Sequence, residues 1–493
     1  MTYVGLDIGT SRCKAVAMDE HGQVLNVSSR AYGLETSYPG WVELEPERIW
    51  NALVAVLREI APSLKPGDAL SIAGIGESFV LLDEQDRPLN RFITYLDQRC
   101  DGYLDNLRNC IPGEELYNIT GLTPHTVYSL PRMLWIRDNN LRVWENAKAI
   151  VLFSEYYNFR LTGIRLVDYT TASRTMLFDV EKRDWSARLM DIWRIPKEKF
   201  APVAPMGTYI GTVLPTVTHE AGLPQGIKVY LGCHDQIAAS LGAGIVEIGE
   251  TMAGEGSSES INVVTDASIW KHAEVLRKHQ ICLEPYLTPN RFLLPVGILS
   301  FGTSLRWYVR TLESALDREY GGDVYSHLDA QCASKTELVF LPYLSRVSIM
   351  DANTQALGAF LGINVSTSRA EMYRAVLEGL HFESRSNLSL LKEMGIFVDK
   401  LVATGGMARS PLSMQMKADI IERKIYTLDN DEAGARGLAI LLAVCRGECG
   451  GYQEAVKRFV HYREVFVPQK DYSKKYEAYC HFSKGVKALY NDF

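Results

Sequence analysis

Gly232-Cys233-His234-Asp235-Gln236-Ile237-Ala238-Ala239-Ser240-Leu241-Gly242-Ala243-Gly244 is the stretch around which this chain is organised. The apolar run Lys228-Val229-Tyr230-Leu231 leads into it and reads as a buried strand. The Ala- and Gly-rich segment behind it reads as the start of a helix. Asp235 therefore stands at a strand-to-helix junction, where the backbone can present a carboxylate to a cleft. That makes Asp235 the candidate general base. An aspartate near its ordinary pKa can take a proton from a hydroxyl that becomes more acidic as it attacks. The competing reading is a plain N-cap for the helix that follows.

Outward toward the N-terminus, Tyr3-Val4-Gly5-Leu6-Asp7-Ile8-Gly9-Thr10-Ser11 reads as a strand running into a Gly turn with hydroxyls, and Lys14 to Asp19 as the strand back. Such a turn can cradle a phosphate, because Gly lets the backbone approach and its N–H groups point inward. Asp7 in the same turn could hold magnesium through water. An ordinary hairpin turn is the alternative. Toward the C-terminus, the stretch 249–260 is a second Gly and hydroxyl turn, followed by the strand Ile261-Asn262-Val263-Val264. Two such turns suggest duplicated domains facing each other across a phosphate, 1–248 and 249–493.

Farther on, Lys400 to Thr404 reads as a strand, and Gly405-Gly406-Met407-Ala408-Arg409-Ser410 as a Gly turn into a helix from Pro411 to Ile421. A Gly pair at a helix N-terminus can bring backbone N–H groups to a nucleotide. It is not a Walker A loop, since no Gly-Lys-Ser/Thr follows. The stretch 432–439 begins another helix, of small residues that permit close packing on a sheet.

Two more carboxylates interrupt apolar runs. Glu77, in Gly76-Glu77-Ser78, separates two strand-like segments, and Asp97 closes Thr94-Tyr95-Leu96-Asp97. Together they would accept hydrogen bonds from sugar hydroxyls and disfavour an anionic substrate. Each alone also reads as a surface charge. Tyr169 to Ser173 reads as a hydroxyl-rich loop.

A length of 493 residues calls for two or more domains. The net charge of −7 argues against nucleic acid as the main partner, which would want a basic face. No apolar run reaches the roughly 18 residues of a membrane span. The first residues, Met1 to Asp7, lack the basic-then-apolar plan of a signal peptide. The nine cysteines are scattered, and Cys445 and Cys449 are the only close pair, so they read as reduced thiols of a cytosolic protein.

Taken together, these segments resemble the FGGY carbohydrate kinases over almost the full length. The resemblance is carried by Asp7-Ile8-Gly9-Thr10-Ser11, Tyr95-Leu96-Asp97-Gln98-Arg99, Phe159-Arg160-Leu161-Thr162-Gly163, His234-Asp235-Gln236, Gly256-Ser257-Ser258 and Thr404 to Ser410, in order and in spacing. It implies an α/β chain of two actin-like, ribonuclease-H-like ATPase domains with the active site in the cleft between them. It implies ATP with Mg2+ as the phosphate donor and a sugar or polyol as acceptor. Carried over residue by residue, Asp235 matches the catalytic base beside the acceptor, and Asp7 the aspartate near magnesium. Thr10, Ser11 and Lys14 match the first phosphate turn, and Gly256 and Ser257 the second. Gly405, Gly406, Met407 and Ser410 match the adenine-side turn. Gly76, Glu77 and Asp97 fall at acceptor positions.

The chain also departs from the family pattern. Arg132 replaces the usual Lys of Lys-x-x-Trp before Trp135. Ser345-Arg346-Val347-Ser348-Ile349-Met350 stands where a Gly-Glu-Arg-Thr-Pro loop is usual. Ile75-Gly76-Glu77-Ser78 replaces the common Gln-Met-His or Gln-Arg-Glu, which touches the acceptor pocket and leaves the substrate open. The first expectation is transfer to a primary hydroxyl of a ketose such as xylulose. A short polyol such as glycerol or erythritol comes next, favoured by Glu77, and an aldonate such as gluconate last. A nucleotide-dependent switch or a sugar sensor on the same fold is the alternative class. Family members are often dimers, and the residues leave a homodimer open.

Overall fold

Tyr3, Val4, Leu6 and Ile8 are fully buried, which places the first strand, β1 (Tyr3–Ile8), inside a sheet rather than at its edge. In the computed structural model, which describes residues 1–344 and 356–491, β1 returns antiparallel through β2 (Arg12–Met18) to β3 (Val24–Ala31). On its other side β1 pairs in parallel with β4 (Ala69–Gly74). Beyond β4 lie β5 (Tyr209–Thr212) and β6 (Lys228–His234), in the order β5-β6-β4-β1-β2-β3. The Ser345 to Met350 departure lies outside the described residues.

The helix Pro46–Ile60 covers this sheet. Its helical spacing puts Ile49, Trp50, Leu53, Val56 and Leu57 on the buried face, in one core with Val4, Leu6 and Ile72. Each such aliphatic side chain, fully buried, is worth about 1.5–3 kcal/mol relative to exposure.

The chain divides into two units. One holds residues 1–246, 282–293 and 432–460, and the other 247–281, 294–431 and 461–493. The chain first passes from one unit to the other between Val246 and Glu247, and residues 282–293 and 432–460 return to the first. The helix Ala433–Cys445 returns because its small residues fit where larger ones cannot. A Cβ on Gly437 would lie 1.9 Å from the carbonyl oxygen of Ala238, and one on Gly5 would lie 2.6 Å from Ala435 Cα.

The second unit repeats the plan. β7 (Glu250–Glu255) turns antiparallel into β8 (Glu259–Asp266). Residues 294–298 of β9 (Arg291–Ile298) lie beside β8. On its other side β7 pairs in parallel with β10 (Lys400–Gly405), then come β11 (Ile425–Leu428) and the antiparallel β12 (Tyr462–Phe466). Each unit thus has a hairpin followed by parallel strands, as two similar Gly turns in one chain suggested. The helix Pro411–Ile421 also stands where the sequence placed it. All nine cysteines are free thiols. Among the described residues no helix is long and apolar enough to cross a membrane.

Candidate active site

Parallel pairing brings the ends of β1, β4 and β6 level. Ile8 pairs with Gly74, and Gly74 with His234, so Asp7 and Asp235 emerge at the same end of the sheet. The carboxyl ends of parallel strands are where open α/β sheets bind ligands. Asp235 is the first residue of the helix Asp235–Gly242, and the N-cap position belongs to His234. A third of the Asp235 side chain is exposed. Burial of the remainder pushes its carboxyl up, and His234 pulls it back.

Asp7 lies across the hairpin from Lys14. Its half-buried carboxylate has no hydrogen-bond or ion-pair partner among the described residues. Burial, reinforced by the charge of Asp235, pushes it up to about 6. Lys14 Nζ is held 3.1 Å from both carboxylate oxygens of Glu432. The pKa of the Tyr95 phenol is raised by burial and then by Asp235 and Glu77. Ser11 is exposed, and its carbonyl accepts the Tyr32 N–H.

The two remaining acceptor-side carboxylates are not open groups. Asp97 has a fully buried side chain. Its oxygens accept from the N–H of Val42 at 2.6 Å, the N–H of Arg99 at 2.9 Å, Arg99 Nε at 2.8 Å and Arg99 Nη2 at 2.7 Å. These four donors already engage the carboxylate expected to meet sugar hydroxyls. Asp97 clamps Arg99, whose guanidinium lies 3.7 Å from the Trp41 ring centre. Glu77 Oε1 accepts from Arg174 Nε at 2.8 Å and Nη2 at 2.5 Å. Although burial opposes it, Arg174 and then His234 hold this carboxyl below the usual range. Gly76 packs beside the same arginine; a Cβ there would lie 2.6 Å from Arg174 Cγ. Arg132 is buried and donates to the carbonyls of Thr94, Val127 and Tyr128, a structural role.

Arg174 and Glu284 escaped the sequence analysis. Arg174 Nη1 donates to Glu284 Oε1 at 2.7 Å, so one guanidinium joins two carboxylates far apart in sequence. The only local signal was the hydroxyl-rich segment before Arg174. That segment is a short helix, Tyr169–Ser173, rather than a loop, because Asp168 accepts the N–H groups of Thr170 and Thr171. Glu284 carries no local signal.

In the second unit, the register Glu255 to Gly405 brings the turn at Gly256 and Ser257 level with the turn at Gly405 and Gly406. Gly405 has a φ of +91°, and a Cβ there would lie 2.5 Å from the Glu255 carbonyl oxygen, so glycine is required on both counts. Gly406 is exposed with open space around it, and Met407 begins a single 3-10 turn, Met407–Arg409. Gly302 and Thr303 donate their N–H groups to the carbonyls of Gly256 and Ser257. Arg306, which the sequence did not single out, donates to Ser257 Oγ at 2.6 Å. Ser410 caps the helix Pro411–Ile421 and donates to Asp329 at 2.6 Å, so its hydroxyl is already engaged. Lys417 is buried between Glu255 and Glu259, the residues flanking the Gly256 turn.

Among the described residues no cluster of three or more His, Cys, Asp or Glu could hold a metal by itself. The unpartnered Asp7 fits a different mode, in which magnesium is held by one or two carboxylates together with substrate phosphates.

Residues 2–242 match the FGGY family of carbohydrate kinases, N-terminal domain, and residues 260–445 match the C-terminal domain of the same family. A xylulose kinase of Bacillus subtilis (strain 168) is 26% identical over 491 residues, covering 99% of this chain and 97% of the relative. A gluconokinase of the same organism is 26% identical over 484 residues, covering 96% and 93%. The crystal structure of ligand-bound xylulose kinase from Lactobacillus acidophilus matches with a TM-score of 0.88 at 24% identity, covering 100% of this chain and 99% of that one. The fold is the two-domain, actin-like α/β fold of these proteins.

Proposed function

This chain belongs to the FGGY family of carbohydrate kinases and is a sugar phosphotransferase, and we propose that it transfers the γ-phosphoryl group of ATP to a primary hydroxyl of a small neutral sugar, a ketose such as xylulose. The observation that carries this reading is the division of labour among the carboxylates around the end of β6. Glu77 and Glu284 are tied to Arg174, and Asp97 to Arg99. Asp235 and Asp7 have no guanidinium partner among the described residues, and Asp235 is partly exposed.

Asp235 then takes the proton of the acceptor hydroxyl as the new oxygen–phosphorus bond forms and the bond to ADP breaks. The transition state of such a transfer is loose, so the base acts late and positioning does most of the work. Asp7 would hold magnesium through water; the ion supplies charge neutralisation at the phosphates. The Gly9 and Gly256 N–H groups close their own turns on the carbonyls of Arg12 and Ser258, and the N–H groups of Thr10, Ser11, Ser257 and Ser258 suit phosphate oxygens. The Gly405-Gly406 turn suits the nucleotide.

A neutral acceptor is favoured because Arg174, the buried guanidinium of this cluster, is already joined to two carboxylates. An aldonate would bring its own negative charge toward Asp235 and Asp7, and the guanidinium of this cluster is already engaged.

ADP release from MgATP, measured against ketoses, short polyols and aldonates with a no-acceptor control, tests the proposal. Stimulation by a ketose is the expected result. Stimulation by gluconate alone would overturn the neutral acceptor, and acceptor-independent release would favour a nucleotide-dependent switch.

A further inference from the structure

Asp235 is preceded by a buried histidine whose ring stands between two carboxylates. His234 Nε2 lies 3.1 Å from Asp235 Oδ1, and Nδ1 lies 3.2 Å from Glu284 Oε2. A neutral imidazole has one donor nitrogen and one acceptor nitrogen, whereas an ionised carboxylate only accepts. A neutral ring would therefore set a lone pair against one of the two carboxylates. With a hydrogen on each nitrogen, Nδ1 donates to Glu284 and the ring's positive charge lies 3.1 Å from Asp235 Oδ1, so both carboxylates are met.

The ring is buried, and the backbone that carries it is held in place. The His234 backbone N–H donates to Thr170 Oγ1 at 2.8 Å, and that hydroxyl in turn donates to Asp168. Glu284 is fixed from behind by Arg174, which is fixed by Glu77. The result is a chain of alternating charge: Glu77, Arg174, Glu284, His234, Asp235.

We propose that His234 is a positioning residue that stands as an imidazolium between Glu284 and Asp235 and holds the Asp235 carboxylate ionised and in one orientation for the acceptor hydroxyl. This rests on Asp235 being the base. The proton taken from the acceptor goes to Asp235, and His234 keeps its own throughout.

The charged groups around His234 are carboxylates, apart from Arg174, whose charge is met by Glu77 and Glu284. Asp235 comes from its own helix, Glu284 from the short strand Glu284–Pro285, Glu77 from the loop after β4, and Arg174 from the end of the helix Tyr169–Ser173; Asp168 reaches its backbone through Thr170. Burial opposes a charged ring, but Asp235 and Glu284 raise His234 to about 9. Against burial, Arg174 and His234 bring Glu284 down to about 2. Burial and Glu77 push Asp235 up, and His234 is the side chain that pulls it down.

Histidine-selective NMR of the full-length protein, combined with pH profiles of kcat/KM for the acceptor, tests the proposal. One wild-type imidazole should keep its proton up to about pH 9. That signal should be missing in His234→Gln and should titrate at lower pH in Glu284→Gln and Asp235→Asn. In His234→Gln the acid limb of the profile should move up by about 1 pH unit or more, as expected on losing a close opposite charge, with KM for ATP little changed. A merely structural role would lower activity equally at every pH and leave the limb in place. The proposal is overturned if the limb stays put, or if every imidazole of the wild type titrates within about one unit of 6.5. The NMR comparison of wild type with Asp235→Asn decides the matter even if His234→Gln fails to fold. Full turnover in Asp235→Asn would instead remove the base, whatever the state of His234.

Discussion

Asp235 and its neighbours divide into groups that work by staying open and groups that work by being tied. Asp235 is one residue past the end of a buried strand, on the first turn of a helix and partly exposed. Asp235→Asn keeps the shape and removes the proposed base, so turnover should fall by a factor of about 100 or more while ATP binding, followed by calorimetry, is retained. The tied groups give stability a pH dependence. Glu284 folds at about 2 against an ordinary 4.5, so its contribution is complete above 4.5 and lost as pH falls toward 2. His234 folds at about 9 against 6.5, so its contribution is complete below 6.5 and lost as pH rises through 9. Thermal unfolding should therefore separate wild type from Glu284→Gln most between pH 4.5 and 6.5, with the gap narrowing on both sides. A gap independent of pH would contradict this. Asp97 illustrates what residue type alone leaves out. A carboxylate at an acceptor position looks like a sugar ligand, yet two Arg99 nitrogens and two backbone N–H groups consume it.

The site at the level of elements depends on strands that end level and helices that pack without side chains between them. The helices Asp235–Gly242 and Ala433–Cys445 meet where Gly242 faces Ala433 and Gly437 faces Ala238. Gly437→Ala would force a methyl against a carbonyl oxygen 1.9 Å away. The helices must part, at a cost on the order of 1–3 kcal/mol, seen as a lower denaturant midpoint with an unchanged slope. An unchanged midpoint would mean the contact is looser than it stands here. The Gly turns after β1, β7 and β10 were legible because Gly, Asp and hydroxyl residues at a strand end are a local signal. The helix Pro411–Ile421 was legible from its Pro start. The helix Ala433–Cys445 was legible as a helix, but its small residues fit any close contact and name no partner sheet. Arg174 and Glu284 were not legible, since their meaning arises only when residues 77, 174, 234 and 284 come together in space.

The whole chain builds the same hairpin-and-parallel-strand plan in each unit, and each copy ends in backbone turns suited to phosphate. What turns that shared plan into a sugar kinase is the asymmetry of side chains. The first unit carries Asp7 and Asp235 beside the Arg174 cluster, and the second carries Lys417 between Glu255 and Glu259 beneath its Gly turn. On the function proposed above, Asp235 drives transfer of a phosphoryl group from ATP to a primary hydroxyl of a neutral sugar. Phosphorus NMR of MgATP with xylulose, run side by side with wild type and Asp235→Asn, tests it most directly. A new phosphomonoester signal coupled to a CH2 group should grow with ADP in the wild type and be nearly absent in the variant. ATP converted only to ADP and inorganic phosphate, or an equal ester signal from both proteins, would contradict it.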